Sequence, residues 1–428
     1  MPRAASSECA ATAEGEDRVE PTIAGPVNDQ RDERVAGGER ATPTSDERYM
    51  GMAIAAADTA RATTTPNPWV GAVLVAGGTP PAILEAATAP PGGPHAEVGV
   101  LAMARHAEVP TQGATLYTTL EPCCHHGRTP PCVDAIVAAG VARVVVGLLD
   151  PDPNVSGKGI AALEAAGIDV DLGVAAAEVE EQLAPYLKHR RTGRPWVVLK
   201  LAATMDGCIA APDGSSRWIT GDAARRDAHR LRAESDAVLV GAGTVRADNP
   251  ALTVRPFPKD CPTHRRKAQA VKAKAVKAQA VEAQAVEEAQ AVEEAHAVEE
   301  DAASDTPSHA RQPLRVVLGS APEGAKVHPA LERSGDLGDI LDELGARGVV
   351  RLLVEGGAHV AHDMHAQRLV DRYVVYLAPA LFGGDDARKM FAGPGAASIA
   401  DVWRGRVVSV TPLGEDLRVE LAPAVEAS

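Results

Sequence analysis

The chain lacks any apolar run approaching the roughly 20 residues that a membrane-spanning helix needs. Its N-terminal stretch, MPRAASSECAATAEGED, lacks the apolar core of a signal peptide. Basic residues are also in deficit, with 43 Lys and Arg against 58 Asp and Glu and a formal net charge of -15. This deficit disfavours nucleic acid and anionic membranes as partners, because nonspecific affinity for both depends on basic side chains. We therefore expect a cytoplasmic protein that acts on a small molecule.

Cysteine is scarce as well, with six residues in a chain of 428. Three of the six lie within the short segment EPCCHHGRTPPC, from Glu121 to Cys132. A disulfide framework is typical of small, cysteine-dense secreted domains, whereas a cluster in a reducing compartment more often binds a metal or takes part in catalysis. The segment therefore predicts a metal site or a catalytic site.

A Gly-x-Gly-x-x-Gly motif is missing from residues 195–424. The second half of the chain is therefore not predicted to be a Rossmann nucleotide domain on motif grounds. The segment LLVEGGAHV does read as a strand, a Gly-Gly turn and a helix, which could hold a phosphate against free backbone N–H groups. A tight turn without any ligand explains this segment equally well.

Large apolar side chains are almost absent from residues 1–45, so we expect a disordered tail there. Residues 46–190 then alternate between helical segments such as HAEVGVLAMARHA and strand-like segments such as WVGAVLV and ARVVVGLL. A second unit begins near Pro195 with WVVLKLAAT and AVLVGAGTV as predicted strands. Such alternation indicates an α/β fold with largely parallel strands.

The second unit is interrupted by residues 257–312, which include a degenerate AQAV repeat over residues 267–300. The valines of the repeat are five or six residues apart and would scatter around a helix axis instead of forming a stripe. We therefore predict a solvated insertion, with a coiled coil as the alternative. The α/β pattern resumes in residues 313–424, so the second domain is predicted over 195–256 and 313–424.

A metal site is predicted from the segment PHAEV together with the cysteine cluster. Zinc deaminases use a His-x-Glu pair at the start of a helix with a downstream Pro-Cys and a further Cys. On this pattern His95, Cys123 and Cys132 are the ligands and Glu97 is the catalytic proton carrier. Three protein ligands leave the fourth zinc position for water, whose pKa the metal lowers toward ~7.

Other readings of the cluster remain open. Cys124, His125 and His126 are rival ligands, and a fourth protein ligand would make a closed structural zinc site. Buried cysteines and histidines without a metal are the third reading. The two cysteines that we favour are nine residues apart, which is longer than the Cys-x-x-Cys spacing of common deaminases.

Several segments occur in the order seen in the bifunctional riboflavin-biosynthesis deaminase/reductase family. They are TTPNPWVGAVLV, PHAEV, GATLYTTLEPCCHHGRTPPC, DPDPNVSGKG and LKLAATMDGCIAAPDGSSRWIT. The chain resembles this family closely over residues 48–256 and more loosely over 313–424. The resemblance implies an N-terminal cytidine-deaminase-like α/β/α domain with Zn²⁺, and a C-terminal dihydrofolate-reductase-like α/β domain that uses NADPH. The implied substrate is a diaminopyrimidinone that carries a phosphoribosylamino group.

The resemblance also implies binding residues in the second domain. Two arginines in the substrate set suit a phosphate, which they can bind through charge-assisted, bidentate hydrogen bonds. The resemblance implies that the chain binds a small pyrimidine ribose phosphate, without nucleic acid or membrane, and a homo-oligomer is compatible with it. The implied NADPH contacts are Ala202, Trp218, Thr244, Asp248, Ser320 and Gly357, and the implied substrate contacts are Ser216, Arg232, Leu252, Arg255 and Glu355.

Two departures from the family pattern concern the reductase. Cys208 stands where the family usually has a Lys or Arg, and a stretch that normally holds strands is missing before LGDILDEL. They predict a reductase that is weaker than the deaminase, with tighter binding if a lysine is restored at position 208. A deaminase with a degenerate reductase is the alternative, and a zinc-stabilised binding protein is a more remote one.

Overall fold

The computed structural model describes residues 44–125, 129–254 and 311–424. The tail predicted over residues 1–45 lies outside the described residues except for Thr44 and Ser45, which begin the first helix. The predicted insertion, residues 257–312, lies outside them except for Arg311 and Gln312. The described residues form two main β-sheets with flanking helices.

The first sheet has the strand order β2-β1-β3-β4-β5. Strands β3, β4 and β5 are parallel, but β1 is antiparallel to both β2 and β3. The prediction of largely parallel strands is therefore wrong for β1 and β2, because the short turn between them permits only antiparallel pairing. The elements are α1 (Ser45–Ala60), β1 (Gly71–Ala76), β2 (Ala82–Ala87), α2 (Ala96–His106), β3 (Thr115–Leu120), α3 (Cys132–Ala138), β4 (Arg143–Leu148), α4 (Lys158–Ala165), β5 (Asp169–Leu172) and α5 (Ala176–Thr192).

Helix α1 packs directly against strand β1. A capping box starts the helix, in which the Thr44 hydroxyl accepts from the Glu47 N–H and the Glu47 carboxylate accepts from the Thr44 N–H. Small residues let the two backbones approach closely: a Cβ on Gly71 would lie 1.9 Å from the carbonyl oxygen of Ala53. A side chain at position 71 would therefore push the helix off the sheet.

The second sheet has the order β10-β9-β8-β11-β6-β12-β15-β14. The neighbouring strands β10, β9, β8, β11, β6 and β12 are parallel, as predicted. Strand β15 is antiparallel to both β12 and β14. The elements are β6 (Trp196–Thr204), β7 (Cys208–Ala210), α6 (Asp222–Ala233), β8 (Ala237–Gly241), α7 (Ala242–Asp248), β9 (Leu314–Leu318), β10 (Leu331–Arg333), α8 (Leu337–Ala346), β11 (Arg351–Val354), α9 (Ala358–Ala366), β12 (Arg372–Ala378), β13 (Arg388–Lys389), β14 (Gly405–Leu413) and β15 (Asp416–Pro423).

Two details of the second sheet differ from the sequence-based expectation. The segment AVLVGAGTV is a strand only as far as Gly241, and helix α7 begins at Ala242. The stretch missing before LGDILDEL does not break the sheet, because the short strand β10 follows β9 there and forms the edge. Strand β11, which leads into the Gly356-Gly357 turn, pairs with β6 on one side and β8 on the other. The missing stretch therefore does not remove the neighbours of this turn.

The core of the second sheet follows from the alternation of side chains along each strand. Leu199 and Leu352 lie on the face that packs against α8 and α9, and Val198 and Leu353 lie on the opposite face, against α6. Both faces are covered, which explains why the parallel strands read as continuous apolar runs. Within the described part of the chain, no helix is both long enough and apolar enough to cross a membrane.

Glu121 is a buried carboxylate that fixes the loop after β3. It accepts hydrogen bonds from four backbone N–H groups, at 2.9 to 3.3 Å. Helix α4 approaches the loop so closely that a Cβ on Gly159 would lie 2.1 Å from the Pro122 carbonyl oxygen. These contacts determine where the following residue, Cys123, leaves the sheet. The four donors are the N–H groups of Asp150, Gly157, Gly159 and Ile160.

We expect Glu121→Gln to destabilise the first domain by roughly 2–3 kcal/mol, because an amide NH₂ would face backbone donors that now bind a charged acceptor. The measurement is the denaturant midpoint of the first domain. Glu164→Gln, at an exposed position on the nearby helix α4, is the matched control and should leave the midpoint unchanged. Equal midpoints for the two variants would contradict the role assigned to Glu121.

The two ends of the predicted insertion are held together in the structure. The Gln312 side chain accepts from the Val254 N–H at 2.8 Å and donates to the Val254 carbonyl at 3.2 Å. A short Gly/Ser loop in place of residues 262–308 should therefore connect these ends, with little change in melting temperature and both activities within about twofold. A large fall in melting temperature would show that the excised residues pack on the core.

Candidate active sites

Three side chains with metal-binding atoms meet at one end of the first sheet. His95 is the N-cap of α2, Cys123 follows β3 and Cys132 is the first residue of α3. The His95 Nδ1 lies 3.5 Å from the Cys123 Sγ and 3.3 Å from the Cys132 Sγ. All three ligand atoms lie within 4.8 Å of one another. The structure thus brings together the three residues that were predicted to bind zinc.

The spacing of these atoms fits a tetrahedral zinc ion. Zn–S and Zn–N bonds of about 2.3 and 2.0 Å at a tetrahedral angle place the sulfur and the nitrogen about 3.5 Å apart. The observed sulfur-to-nitrogen distances of 3.3 and 3.5 Å are close to this value. The Cys132 N–H also donates to the Cys123 Sγ at 3.4 Å, as expected for a sulfur that carries negative charge.

The two sulfurs influence each other's protonation. The hydrogen bond from Cys132 lowers the pKa of Cys123 to about 4, and the same interaction raises the pKa of Cys132. A divalent cation at the centre of the cluster would stabilise both thiolates.

Glu97 lies in the first turn of α2, beside the cluster but not part of it. Its side chain is buried, with 3% exposure. Burial raises the pKa of Glu97 to about 7, and the negative charge of Cys123 adds to the effect. A carboxyl group with this pKa can both accept and release a proton near neutral pH, which is what a general acid and base requires.

The rival ligands do not join the cluster where the structure describes them. The Cys124 Sγ lies 3.9 Å from the carbonyl oxygen of Asn154, and its side chain packs against the core of the first domain. His125 lines the neighbouring cavity, and His126 lies outside the described residues. The described donor set is therefore His-Cys-Cys, which leaves a coordination position open and fits a catalytic site better than a closed structural one.

A cavity of about 200 Å³ opens onto the cluster. Sequence reasoning did not identify several of its lining residues, which come from distant parts of the first domain. Asn67 lies in the TTPNP turn, which could have served as a signal because the turn belongs to a family segment. Asp150 had the same kind of signal, because it is the first residue of the family segment DPDPNVSGKG. No local signal marked Tyr186 and Arg190, because only the packing of α5 brings them to the cavity.

In the second domain the carboxyl ends of β6, β8 and β11 lie side by side, which is where parallel sheets bind ligands. Glu355 follows β11 and is paired with Arg232 of α6 through two hydrogen bonds, one of them 2.8 Å from Nη2 to Oε2. Burial alone would raise the pKa of Glu355, but Arg232 holds it below its usual value. Arg232 also donates to the Thr253 carbonyl at 3.4 Å, next to Leu252. Three of the predicted substrate residues thus lie together.

Lys200 is a half-buried charged residue near this ion pair that sequence reasoning missed. Burial lowers the pKa of Lys200, and the opposite charge of Glu355 partly offsets this effect. Its Nζ lies 5.8 Å from the centre of the Tyr376 ring. A lysine in the middle of the apolar segment WVVLKLAAT was the available signal, because charged residues are rarely buried without a partner.

The predicted NADPH residues lie in two groups. Gly357 has a positive φ of 68°, and a Cβ there would lie 2.6 Å from the Thr244 Oγ1, so these two residues are in close contact. The neighbouring Gly356 faces Leu201, which precedes Ala202 on β6. Ser320 follows β9, and its carbonyl accepts from Arg246 of α7 at 3.5 Å. Of the predicted NADPH residues in this group, Thr244 lies directly against the Gly-Gly turn.

The second group is near Trp218, whose side chain is 70% exposed. The Arg225 guanidinium lies 4.5 Å from the centre of its ring. Arg217 donates to the Asp248 carbonyl at 2.7 Å and so links the two predicted NADPH residues Trp218 and Asp248. A cavity of about 460 Å³ includes Trp218 but is not lined by Arg232 or Glu355, so the predicted cofactor and substrate residues do not share one described cavity. Ser216 is half-buried, and Arg255 lies outside the described residues.

Position 208 has a cation next to it although the sequence places cysteine there. Cys208 on β7 pairs with Lys389 on β13, and the Lys389 Nζ lies 3.1 Å from the Cys208 Sγ. The hydrogen bond to Cys208 raises the pKa of Lys389. A positive charge on another strand therefore lies beside position 208.

Both domains of the chain match known protein families. Residues 43–148 match the family described as the cytidine and deoxycytidylate deaminase zinc-binding region, and residues 195–419 match the RibD C-terminal domain. The riboflavin biosynthesis protein RibD of Escherichia coli K12 is 38% identical over 409 residues, covering 89% of this chain and 100% of its own. RibD of Chlamydia trachomatis is 40% identical over 342 residues, covering 80% and 86%.

Two solved structures are similar over the same span. RibD of Acinetobacter baumannii has a TM-score of 0.72 at 32% identity, covering 89% of this chain and 99% of its own. A Thermotoga maritima diaminohydroxyphosphoribosylaminopyrimidine deaminase/5-amino-6-(5-phosphoribosylamino)uracil reductase has a TM-score of 0.69 at 31% identity, with the same coverage. With a zinc-deaminase region, a RibD C-terminal domain and relatives aligned along nearly their whole length, the chain belongs to the RibD family of bifunctional riboflavin-biosynthesis deaminase/reductases.

Proposed function

We propose that residues 46–190 hydrolytically deaminate 2,5-diamino-6-(5-phosphoribosylamino)pyrimidin-4-one, and that residues 195–256 with 313–424 then reduce its ribosyl group to ribityl. The observation that carries the first step is the open His95, Cys123 and Cys132 cluster with the buried Glu97 beside it. The T. maritima relative, which is named for both reactions, supports the choice of substrate. The family requires Zn²⁺ for the deaminase and NADPH for the reductase.

In the deaminase, His95, Cys123 and Cys132 would hold the zinc ion. When bound, the zinc ion lowers the pKa of the water that attacks the ring. Glu97 takes one proton from the attacking water and delivers it to the ring nitrogen. It then takes the second proton from the hydroxyl group that has added to the ring carbon and delivers it to the amino group, which leaves as ammonia while the carbonyl forms. Its burial and its pKa of about 7 let the same carboxyl group perform both transfers.

In the reductase, the Gly-Gly turn at the start of α9 offers backbone N–H groups to a cofactor phosphate, and Thr244 lies against it. NADPH supplies the hydride. Arg232, Glu355 and Lys200 lie together at the carboxyl edge of the sheet and would orient the ribose. Because Arg232 already binds Glu355 through two hydrogen bonds, a substrate phosphate must share or displace this partner.

The two alternative functions gain little support. An open three-ligand set argues against a purely structural zinc site. The unbroken sheet argues against a degenerate reductase. A reductase weaker than the deaminase stays a prediction, although the loss of neighbouring strands and the loss of a cation no longer support it. We also propose a cytoplasmic location, since unbridged cysteines are typical of a reducing compartment.

The zinc assignment predicts a separation of activity from metal content. Glu97→Gln should bind one zinc ion per chain and release no ammonia from the diaminopyrimidine substrate, because Glu97 carries protons without coordinating. Cys132→Ser should lose both zinc and activity. Cys124→Ser, altered at the adjacent non-cluster cysteine, is the matched control and should keep both. Zinc content by elemental analysis and ammonia release are the measurements, and zinc loss in Glu97→Gln would refute the role of Glu97.

The Cys208 geometry predicts that a lysine at this position brings no benefit. Cys208→Lys would place a second ammonium group against Lys389 in a buried space, so the KM for NADPH should stay the same or rise. Cys208→Ser, which retains a small polar group, is the control and should stay close to wild type. The rate of NADPH consumption in the reductase half-reaction gives the KM for NADPH of each variant. A clear fall in KM for Cys208→Lys would show that Lys389 does not substitute for the missing cation.

A further inference from the structure

The last turn of α5 brings a cation to the rim of the zinc cavity. Arg190 lines this cavity and is itself exposed. Its guanidinium lies 5.2 Å from the centre of the Tyr186 ring. Tyr186 is buried, and its hydroxyl donates to the Asp150 carboxylate, at 3.1 and 3.2 Å to the two oxygens. Arg190 is therefore supported by a side chain that is itself fixed to the cavity wall.

The charges around the cavity make Arg190 distinctive. Four carboxylates line the cavity, those of Glu97, Glu121, Asp150 and Asp152. Among the described lining residues, Arg190 is the one side chain with a permanent positive charge. Its neighbour Arg191 is paired with Glu180 at 3.5 Å, whereas no carboxylate in the described part of the chain forms an ion pair with Arg190.

We propose that Arg190 binds the phosphate of the deaminase substrate and so selects a sugar phosphate monoester over the free nucleoside. The inference rests on the proposed function. With the pyrimidine ring at Glu97, a phosphate placed near Asp150 or Asp152 would be repelled by like charge. The rim position of Arg190 offers the favourable alternative, because a guanidinium binds phosphate through paired N–H donors. Arg190 is thus a specificity residue for this reaction.

The test compares Arg190→Met with Arg191→Met, which removes an adjacent surface arginine outside the cavity. For the phosphorylated substrate, Arg190→Met should lower the kcat/KM of ammonia release by roughly ten- to hundredfold, mostly through KM. For the dephosphorylated substrate it should have little effect, and Arg190→Lys should recover part of the loss. Arg191→Met should have the same kcat/KM as the wild type with both substrates. An equal loss with both substrates, or no loss with either, would overturn the proposal.

A second measurement does not depend on turnover. Ribose 5-phosphate in the cavity should slow the removal of zinc by a chelator, and this protection should disappear in Arg190→Met but persist in Arg191→Met. Because the zinc lies in the deaminase cavity, phosphate binding in the reductase does not contribute. Absence of protection in the wild type, or equal protection in both variants, would overturn the proposal. If the protection behaves as expected while the wild type releases no ammonia, the proposed reaction fails and the phosphate site stands.

Discussion

The geometry of the zinc site depends on one buried carboxylate. Glu121 stands at the end of β3 and gathers four backbone N–H groups from the loop after β4 and the start of α4. Two residues later comes Cys123, whose sulfur must lie within bonding reach of a metal held by His95 and Cys132. A charged acceptor without these donors would be costly to bury, so the loop and the helix start form together with the carboxylate.

Helix α5 connects the two halves of the enzyme physically as well as in sequence. Tyr186 and Arg190 face the zinc cavity, while Lys188 on the same helix pairs with Asp371 of the second domain at 2.5 Å. His189 lies 3.1 Å from the Gly345 carbonyl at the end of α8. Helix α5 therefore lines the deaminase cavity on one side and contacts the reductase domain on another.

The two sites differ in how far the sequence could predict them. His95, Glu97, Cys123 and Cys132 were identified because metal chemistry restricts both residue type and order, and the structure brings the three ligands together. The reductase residues came from family resemblance, and the structure groups them less tightly: Arg232 with Glu355, Thr244 with Gly357, and Trp218 with Asp248. Arg190 was missed because its place at the cavity depends on neighbours that are far away in the sequence. Lys200 did have a local signal, a lysine within an apolar strand, but its partner Glu355 is far away in the sequence.

The sequence by itself determined the α/β class, the position of most helices and strands, and the three residues whose metal-binding atoms the structure brings together. Apolar periodicity and metal-ligand chemistry are local properties, and a chain displays them without folding. Only the tertiary structure decided the antiparallel placement of β1, the position of β10 at the edge of the second sheet and the placement of Lys389 against Cys208. It also decided that Arg190 lies over Tyr186 at the zinc cavity. Strand pairing and charge placement are long-range, since they depend on which distant segments pack together, and local pattern does not encode that choice.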